Sequence, residues 1–212
     1  MKSNMYQKSE TKSVLQIEAD KTITIEFLNK SSMQSRERDV LLSIIQDAGI
    51  LEGSPGNNIY LDEEDIKSLA EDMSRTGRKE PIYSAFIIAC LTGMKYYQIR
   101  LLKKGDPKVN CLKKSKVFFQ ENYPTKMDWH YLIENNLKKN PTFFQRLPYS
   151  VKNTKEKLLG WVKHPNMQLP PEKMDWEVAR LSYFRNLFVQ EKINISQLSR
   201  LIKFSTYKIT SV

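Results

Sequence analysis

The stretch "PIYSAFIIACLTG", residues 81–93, is apolar almost throughout, opened by a proline and closed by a glycine. Proline suits the first turn of a helix, because its missing N–H is one of the amides a helix start leaves unbonded. Glycine stops a helix, because it enters the left-handed backbone region without a steric penalty. The stretch therefore predicts a short apolar helix ending at Gly93. No run of 18 or more apolar residues occurs in the chain, so a membrane span is excluded. A chain of 212 residues with 40% hydrophobic content can bury a sizeable core, and such a helix belongs in one.

The rest of the chain reads as mainly helical, with a small β contribution near the amino terminus. Residues 13–28, "SVLQIEADKTITIEFL", alternate apolar and polar around Ala19-Asp20-Lys21 and predict a β-hairpin. From Ser35 the spacing turns helical, with Val40, Leu41, Ile44 and Ile45 on one stripe ending at Gly49. The breaker "EGSPGNN", residues 52–58, sets the expected boundary between a hairpin-and-helix segment, 1–58, and a mostly helical domain, 59–212. Asp62 is placed to cap a helix whose Ile66, Leu69, Ala70 and Met73 share a face.

Beyond Gly105, "KVFFQ" (116–120) reads as a short strand and residues 125–139 as a helix. Asn140-Pro141 starts another short helix, and "SVKNTKEKLLGWVKH" is a further helical stretch. A long helix follows near Met174–Glu191. Asn194 with Gln197 resembles a capping box for a last helix carrying Leu198, Leu201 and Ile202.

Charge gives the first functional clue. The net charge is +10, but residues 1–90 hold 11 Lys/Arg against 15 Asp/Glu, whereas residues 91–212 hold 23 against 9. The second part is thus expected to meet a polyanion, with nucleic acid ahead of an anionic membrane. A lysine-rich surface of ordinary composition is the bland alternative. The segment before Gly93, being acidic, is expected to serve packing, dimerisation or partner contact, which makes it the candidate homo-oligomer surface. The opening "MKSNMYQKSETKS" lacks the apolar stretch of a signal peptide. Two cysteines, Cys90 in an apolar helix and Cys111 in a basic stretch, do not make a disulfide framework. An intracellular, reducing setting is expected.

The chemistry-bearing residue types form few constellations. His130, His164, Cys90 and Cys111 show no zinc-ligand spacing. None of the 7 glycines forms a phosphate-cradling loop. The acidic run 62–65, "DEED", reads as a helix cap complementing the helix dipole rather than a cation site. No metal, cofactor or catalytic set is expected.

Basic clusters remain. Residues 103–116, "KKGDPKVNCLKKSK", set six lysines against Asp106 alone, and lysines at phosphates gain affinity by releasing counterions. Tyr96, Tyr97, Phe118, Phe119 and Tyr123 are near enough in sequence to stack bases, though aromatics at helical spacing are more often core. The last two helices could form a helix-turn-helix presenting Ser196, Gln197, Ser199, Arg200 and Lys203; two helices packed for stability alone would look the same.

Residues 59–104 and 175–212 together resemble the catalytic domain of the tyrosine recombinases, the phage-integrase family. "IYLDEEDIKSLAEDM" looks like that domain's entry helix, and "YSAFIIACLTGMKYYQIRLL" like the pair ending in T-G-x-R-x-x-E followed by Ile or Leu. "VARLSYFRNLFVQEKINISQLSRLIKFSTYKITSV" looks like the closing H-x-x-R-H helix, linker helix and G-H segment. The resemblance implies a recombinase-like helical fold, and its departures fall on the chemistry. Strand exchange needs two arginines, further donors and a tyrosine nucleophile. Lys95 stands for the first arginine and lacks its bidentate grip. Arg180 is one place off the second in gapless register, and Arg185 needs a gap. Val178 falls near the preceding histidine and Phe204 at the later one; Tyr207 comes several residues before the nucleophile's place, and Val212 one residue short of it. The resemblance thus implies a fold kept for binding DNA without cutting it.

The expected function is a non-catalytic DNA-binding protein, a repressor or accessory factor regulating transcription or recombination of a phage, virus or other mobile element. Lys95, Arg100, Lys103, Lys104, Lys108, Lys113, Lys114 and Lys116 are its expected phosphate contacts; Arg180, Arg185, Arg200 and Lys203 are the second contact face. The alternatives are an RNA-binding or protein-interaction factor of unrelated helical fold, and an active recombinase using Tyr207 or a tyrosine beyond Val212.

Overall fold

A computed structural model of the chain describes residues 25–28, 33–49, 51, 59–76, 80–104, 129–162, 169–190 and 193–206. Eight α-helices of five or more residues lie among them: α1 (Ser35–Asp47), α2 (Glu63–Thr76), α3 (Pro81–Thr92), α4 (Tyr96–Arg100), α5 (Trp129–Lys139), α6 (Lys155–Val162), α7 (Trp176–Val189) and α8 (Ile195–Thr206). Short 3-10 turns occupy Phe143–Arg146, Val151–Thr154 and Pro171–Lys173. The described residues are mainly helical and contain no strand. Of the expected hairpin, residues 13–24 lie outside the described residues, as does the expected strand 116–120. Residues 25–28 are helical instead of extended. Leu28 is 5% exposed and Ile25 47%, so burial there does not follow the two-residue alternation. Four residues are too short for that pattern to decide between strand and helix.

The chain divides into two compact units, Met1–Pro55 with Ile195–Val212, and Gly56–Asn194. In the first, Leu41, Ile44 and Ile45 of α1 are fully buried and α1 packs against α8, which contributes Leu198 and Ile202. The closing helix therefore groups with the amino-terminal segment and not with residues 59–194. It also follows that α7 and α8, considered above as a helix-turn-helix, divide between the two units.

The second unit is built around α3. Pro81 occupies its first turn, Glu80 precedes it in extended conformation, and Gly93 ends it at φ 65°. Every side chain from Ile82 to Leu91 is buried, as befits a helix apolar on all faces. Each fully buried Ile or Phe contributes about 2 kcal/mol relative to exposure. α2, α4, α5, α6 and α7 all pack against α3. Asp62 accepts a bond from the Asp65 N–H at 2.8 Å, capping α2, and Ile66, Leu69 and Ala70 turn inward.

The polar groups carried into this core are satisfied, as they must be when an unmet buried donor costs about 1–3 kcal/mol. The Trp161 indole N–H donates to Asp72 Oδ2 at 2.9 Å, and that of Trp176 to Thr154 Oγ1 at 2.8 Å. Buried Lys173 pairs with Asp65 at 2.5 Å. One turn apart on α7, Ser182 and Asn186 bracket a single residue of the entry segment, Leu61. Ser182 Oγ accepts from the Leu61 N–H at 2.8 Å, and Asn186 Nδ2 donates to the Leu61 carbonyl at 3.1 Å.

Candidate nucleic-acid interface

The segment after α3 is held from below. Gly93 N–H donates to the Ala89 carbonyl at 2.9 Å, closing the helix. A side chain at 93 would put its Cβ 2.8 Å from ring carbons of both Tyr183 and Phe184, so α7 lies directly over this turn and glycine is required for space as well as for φ. Burial raises the Tyr183 phenol above its ordinary pKa.

Lys95 then sits at the start of α4 in extended conformation. Its N–H donates to Gln98 Oε1 at 2.8 Å, and its carbonyl accepts from the N–H groups of Gln98 and Ile99. Tyr96 and Ile99 face the core, with the Tyr96 ring 4.7 Å from that of Trp176.

From this footing α4 reaches out to the link between the two 3-10 turns at 143–146 and 151–154. The Tyr96 hydroxyl donates to the Pro148 carbonyl at 2.6 Å. Burial pushes its phenol up to about 12, with the nearby Arg100 guanidinium pulling the other way. Arg100 Nε donates to the Leu147 carbonyl at 3.1 Å, and the guanidinium carbon lies 3.7 Å from the centre of the Tyr149 ring. Leu147 is buried beneath, while Tyr149 is 89% exposed. Ser150 Oγ accepts from the Lys152 N–H at 3.3 Å and starts the next turn. Two consecutive carbonyls of the link are thus bonded to α4, and an exposed ring stands on the pinned backbone.

The two segments that meet at this corner each carry charge of one sign. Residues 95–104 contain Lys95, Arg100, Lys103 and Lys104 and no acid; residues 135–155 contain Lys138, Lys139, Arg146, Lys152 and Lys155 and no acid. All but half-buried Lys95 and Arg100 are exposed. Chain geometry alone keeps the Cα atoms of Lys103 and Lys152 within about 11 Å of Arg100 and Tyr149 respectively. That is near the screening length of about 10 Å at 0.1 M salt, so these charges add to one local positive potential. Lys157 lies just beyond and is engaged by Glu80; that bond raises its pKa.

The other expected contacts fare differently. Arg180 is buried, its side chain 3% exposed, and Glu177 takes both its Nε, at 3.1 Å, and its Nη2. Its guanidinium also lies 5.5 Å from the Phe184 ring centre. Arg180 therefore leaves the phosphate-contact set: its charge is compensated and its donors face protein. Arg185 is half-buried, with Nη1 on Asn186 Oδ1 at 3.1 Å. Arg200 is exposed on α8, in the other unit. Ser199, expected on the same reading face, is instead 4% exposed and lies against the Met33 sulfur. Lys203 falls within α8 but its side chain lies outside the described residues, as do Lys108, Lys113, Lys114 and Lys116 altogether.

Sequence reasoning missed Arg146, Tyr149, Lys152 and Lys155. The available signal was the acid-free run 135–155, masked by the denser lysines at 103–116. Asp62 and Asp65 of the acidic run are spent on the α2 cap, Asp65 also on Lys173, and Glu63 meets Gln190. Among the described residues no group of three His, Cys, Asp or Glu could hold a metal ion, and no helix is long and apolar enough to cross a membrane. Cys90 is fully buried, and burial raises its thiol pKa far out of the reactive range. No family model, curated protein or solved structure matches the chain.

Proposed function

We propose that this chain is a non-catalytic, intracellular DNA-binding protein that grips duplex DNA through the basic corner formed by residues 95–104 and 135–155, in the role of a repressor or accessory factor of a virus or mobile element. The observation that carries this reading is that two acid-free, cation-bearing segments, 95–104 and 135–155, are joined through the Arg100 contacts to Leu147 and Tyr149. Nine cations without an intervening acid in two tethered segments suit phosphate contact, which needs no fixed sequence pattern.

The likeness to the tyrosine recombinases belongs to the same proposal. Its support is local: the turn quoted for the first arginine, at Gly93, packs against the helix quoted for the second, α7. Its departures account for the absence of cleavage in this reading. Transition-state stabilisation needs preorganised donors aimed at the phosphate. Lys95 presents a point charge, and the Arg180 fork is filled by Glu177.

The test is a titration of a labelled duplex across a salt series. Contact with about 5 phosphates gives a log–log slope near −4 to −5, from about 0.9 per phosphate. A nicked suicide duplex in the same series should yield no covalent adduct on a denaturing gel. Undetectable binding at low salt removes the reading; an adduct that vanishes in Tyr207→Phe replaces it with an active recombinase.

A further inference from the structure

Tyr149 is not used by the core. It is 89% exposed, yet it stands on backbone fixed on both sides: Leu147 and Pro148 give their carbonyls to Arg100 and Tyr96, and Ser150 caps the turn that follows. One ring face carries the Arg100 guanidinium at 3.7 Å. Almost all of the remaining ring is presented to water, next to segments 95–104 and 135–155, which carry nine cations and no acid. An aromatic ring held this way loses little freedom on binding, since its backbone is already ordered and only two side-chain torsions remain.

We infer that Tyr149 is a stacking platform for an unpaired base, so that the basic corner favours DNA carrying a gap or a single-stranded extension over intact duplex. This rests on the DNA-binding reading and adds to it a preferred form of DNA. In an intact duplex the base faces are covered by their neighbours, and opening a step costs a few kcal/mol. An unpaired base offers its face freely. It would complete a three-layer stack of guanidinium, phenol ring and base, while Lys103, Lys104, Arg146 and Lys152 hold the flanking phosphates. Base–aromatic stacking tolerates any sequence, because every base has a π face.

The experiment measures the affinity of the full chain for three probes: an intact duplex, the same duplex with a one-nucleotide gap, and polyphosphate, which has charge and no bases. The wild type should bind the gapped duplex more tightly than the intact one. Tyr149→Ala should lose about tenfold on the gapped duplex while keeping its affinity for intact duplex and polyphosphate. Tyr149→Phe should retain wild-type behaviour, since the ring face and not the hydroxyl makes the stack. Because the ring is exposed, these variants should leave the core intact, to be checked by circular dichroism. Equal affinities of wild type and Tyr149→Ala for gapped DNA overturn the inference and leave the DNA-binding reading standing. Failure of the wild type to bind either DNA at low salt removes both. Sedimentation with phosphatidylserine vesicles that is lost in Tyr149→Ala, with gapped-DNA affinity unchanged, would assign the ring to a lipid surface and also overturn it.

Discussion

Arg180 and Arg100 occupy opposite situations within one unit of this protein. Both are arginines near an aromatic ring on helices that pack against α3, and both were candidates for gripping phosphate. Arg180 is buried and paired with a carboxylate three residues earlier on its own helix. Arg100 has no acid between residues 95 and 104; it bonds a backbone carbonyl and stacks on Tyr149. An arginine therefore stays available to a polyanion when the chain around it withholds a counter-charge. Position within a family motif does not decide this.

The largest effect expected from that difference is on stability. Arg180→Glu places a second carboxylate beside Glu177 at a site where the side chain is 3% exposed. It should cost about 3 kcal/mol or more, by analogy with breaking a buried pair, and lower the urea midpoint accordingly. Arg180→Met, which removes the charge but keeps the volume, should cost much less, because Glu177 is 56% exposed and stays solvated, and should leave DNA affinity at wild type. A large loss of DNA affinity in a folded Arg180→Met would return this residue to the binding surface and break the comparison.

Next in size is the effect of reversing charge at the corner. The Lys103→Glu, Lys104→Glu double variant should keep its fold, because both side chains are exposed. Its DNA affinity should fall by about 2 kcal/mol, roughly thirtyfold, at about 1 kcal/mol for each lost charged contact. The log–log salt slope should become shallower by about 2. Unchanged affinity would move the interface elsewhere.

The smallest effect tests the tie between core and corner. Tyr96→Phe removes the bond to the Pro148 carbonyl and should cost about 1 kcal/mol. The Tyr96 pKa is raised to about 12 in the folded protein, from an ordinary value of 10.0. The neutral phenol is thus favoured by folding, so its contribution is fully present below pH 10 and is lost as the pH climbs toward 12. The stability advantage of the wild type over Tyr96→Phe should therefore shrink across that window, as measured by urea melts at several pH values. A constant difference would mean the hydroxyl is not held as described.

Local signals were legible in the sequence where local chemistry decides the outcome. Pro81 and Gly93 bounded α3, Asp62 capped α2, and Leu41, Ile44 and Ile45 marked the buried face of α1. What required tertiary structure escaped. The grouping of α8 with α1 depends on which apolar faces meet, and an amphipathic stripe at Leu198 and Ile202 does not name its partner. The fate of Arg180 depended on Glu177 three residues away, a helical pairing rule that could have been applied but was outweighed by the motif. The prominence of Tyr149 could not have been read at all, because nothing in "RLPYSVK" shows that Leu147 turns inward and Tyr149 outward.

The bracket that Ser182 and Asn186 place on Leu61 spans 121 and 125 residues of chain. Bringing such distant points together carries a loop-closure term of about 4 kcal/mol, so this clasp depends on the helices between being already assembled. It cannot be an early event of folding, nor can it open alone without stripping a buried amide of its acceptor. Hydrogen–deuterium exchange at Leu61 should consequently follow the global unfolding of its unit, making one amide a gauge of the integrity of the whole.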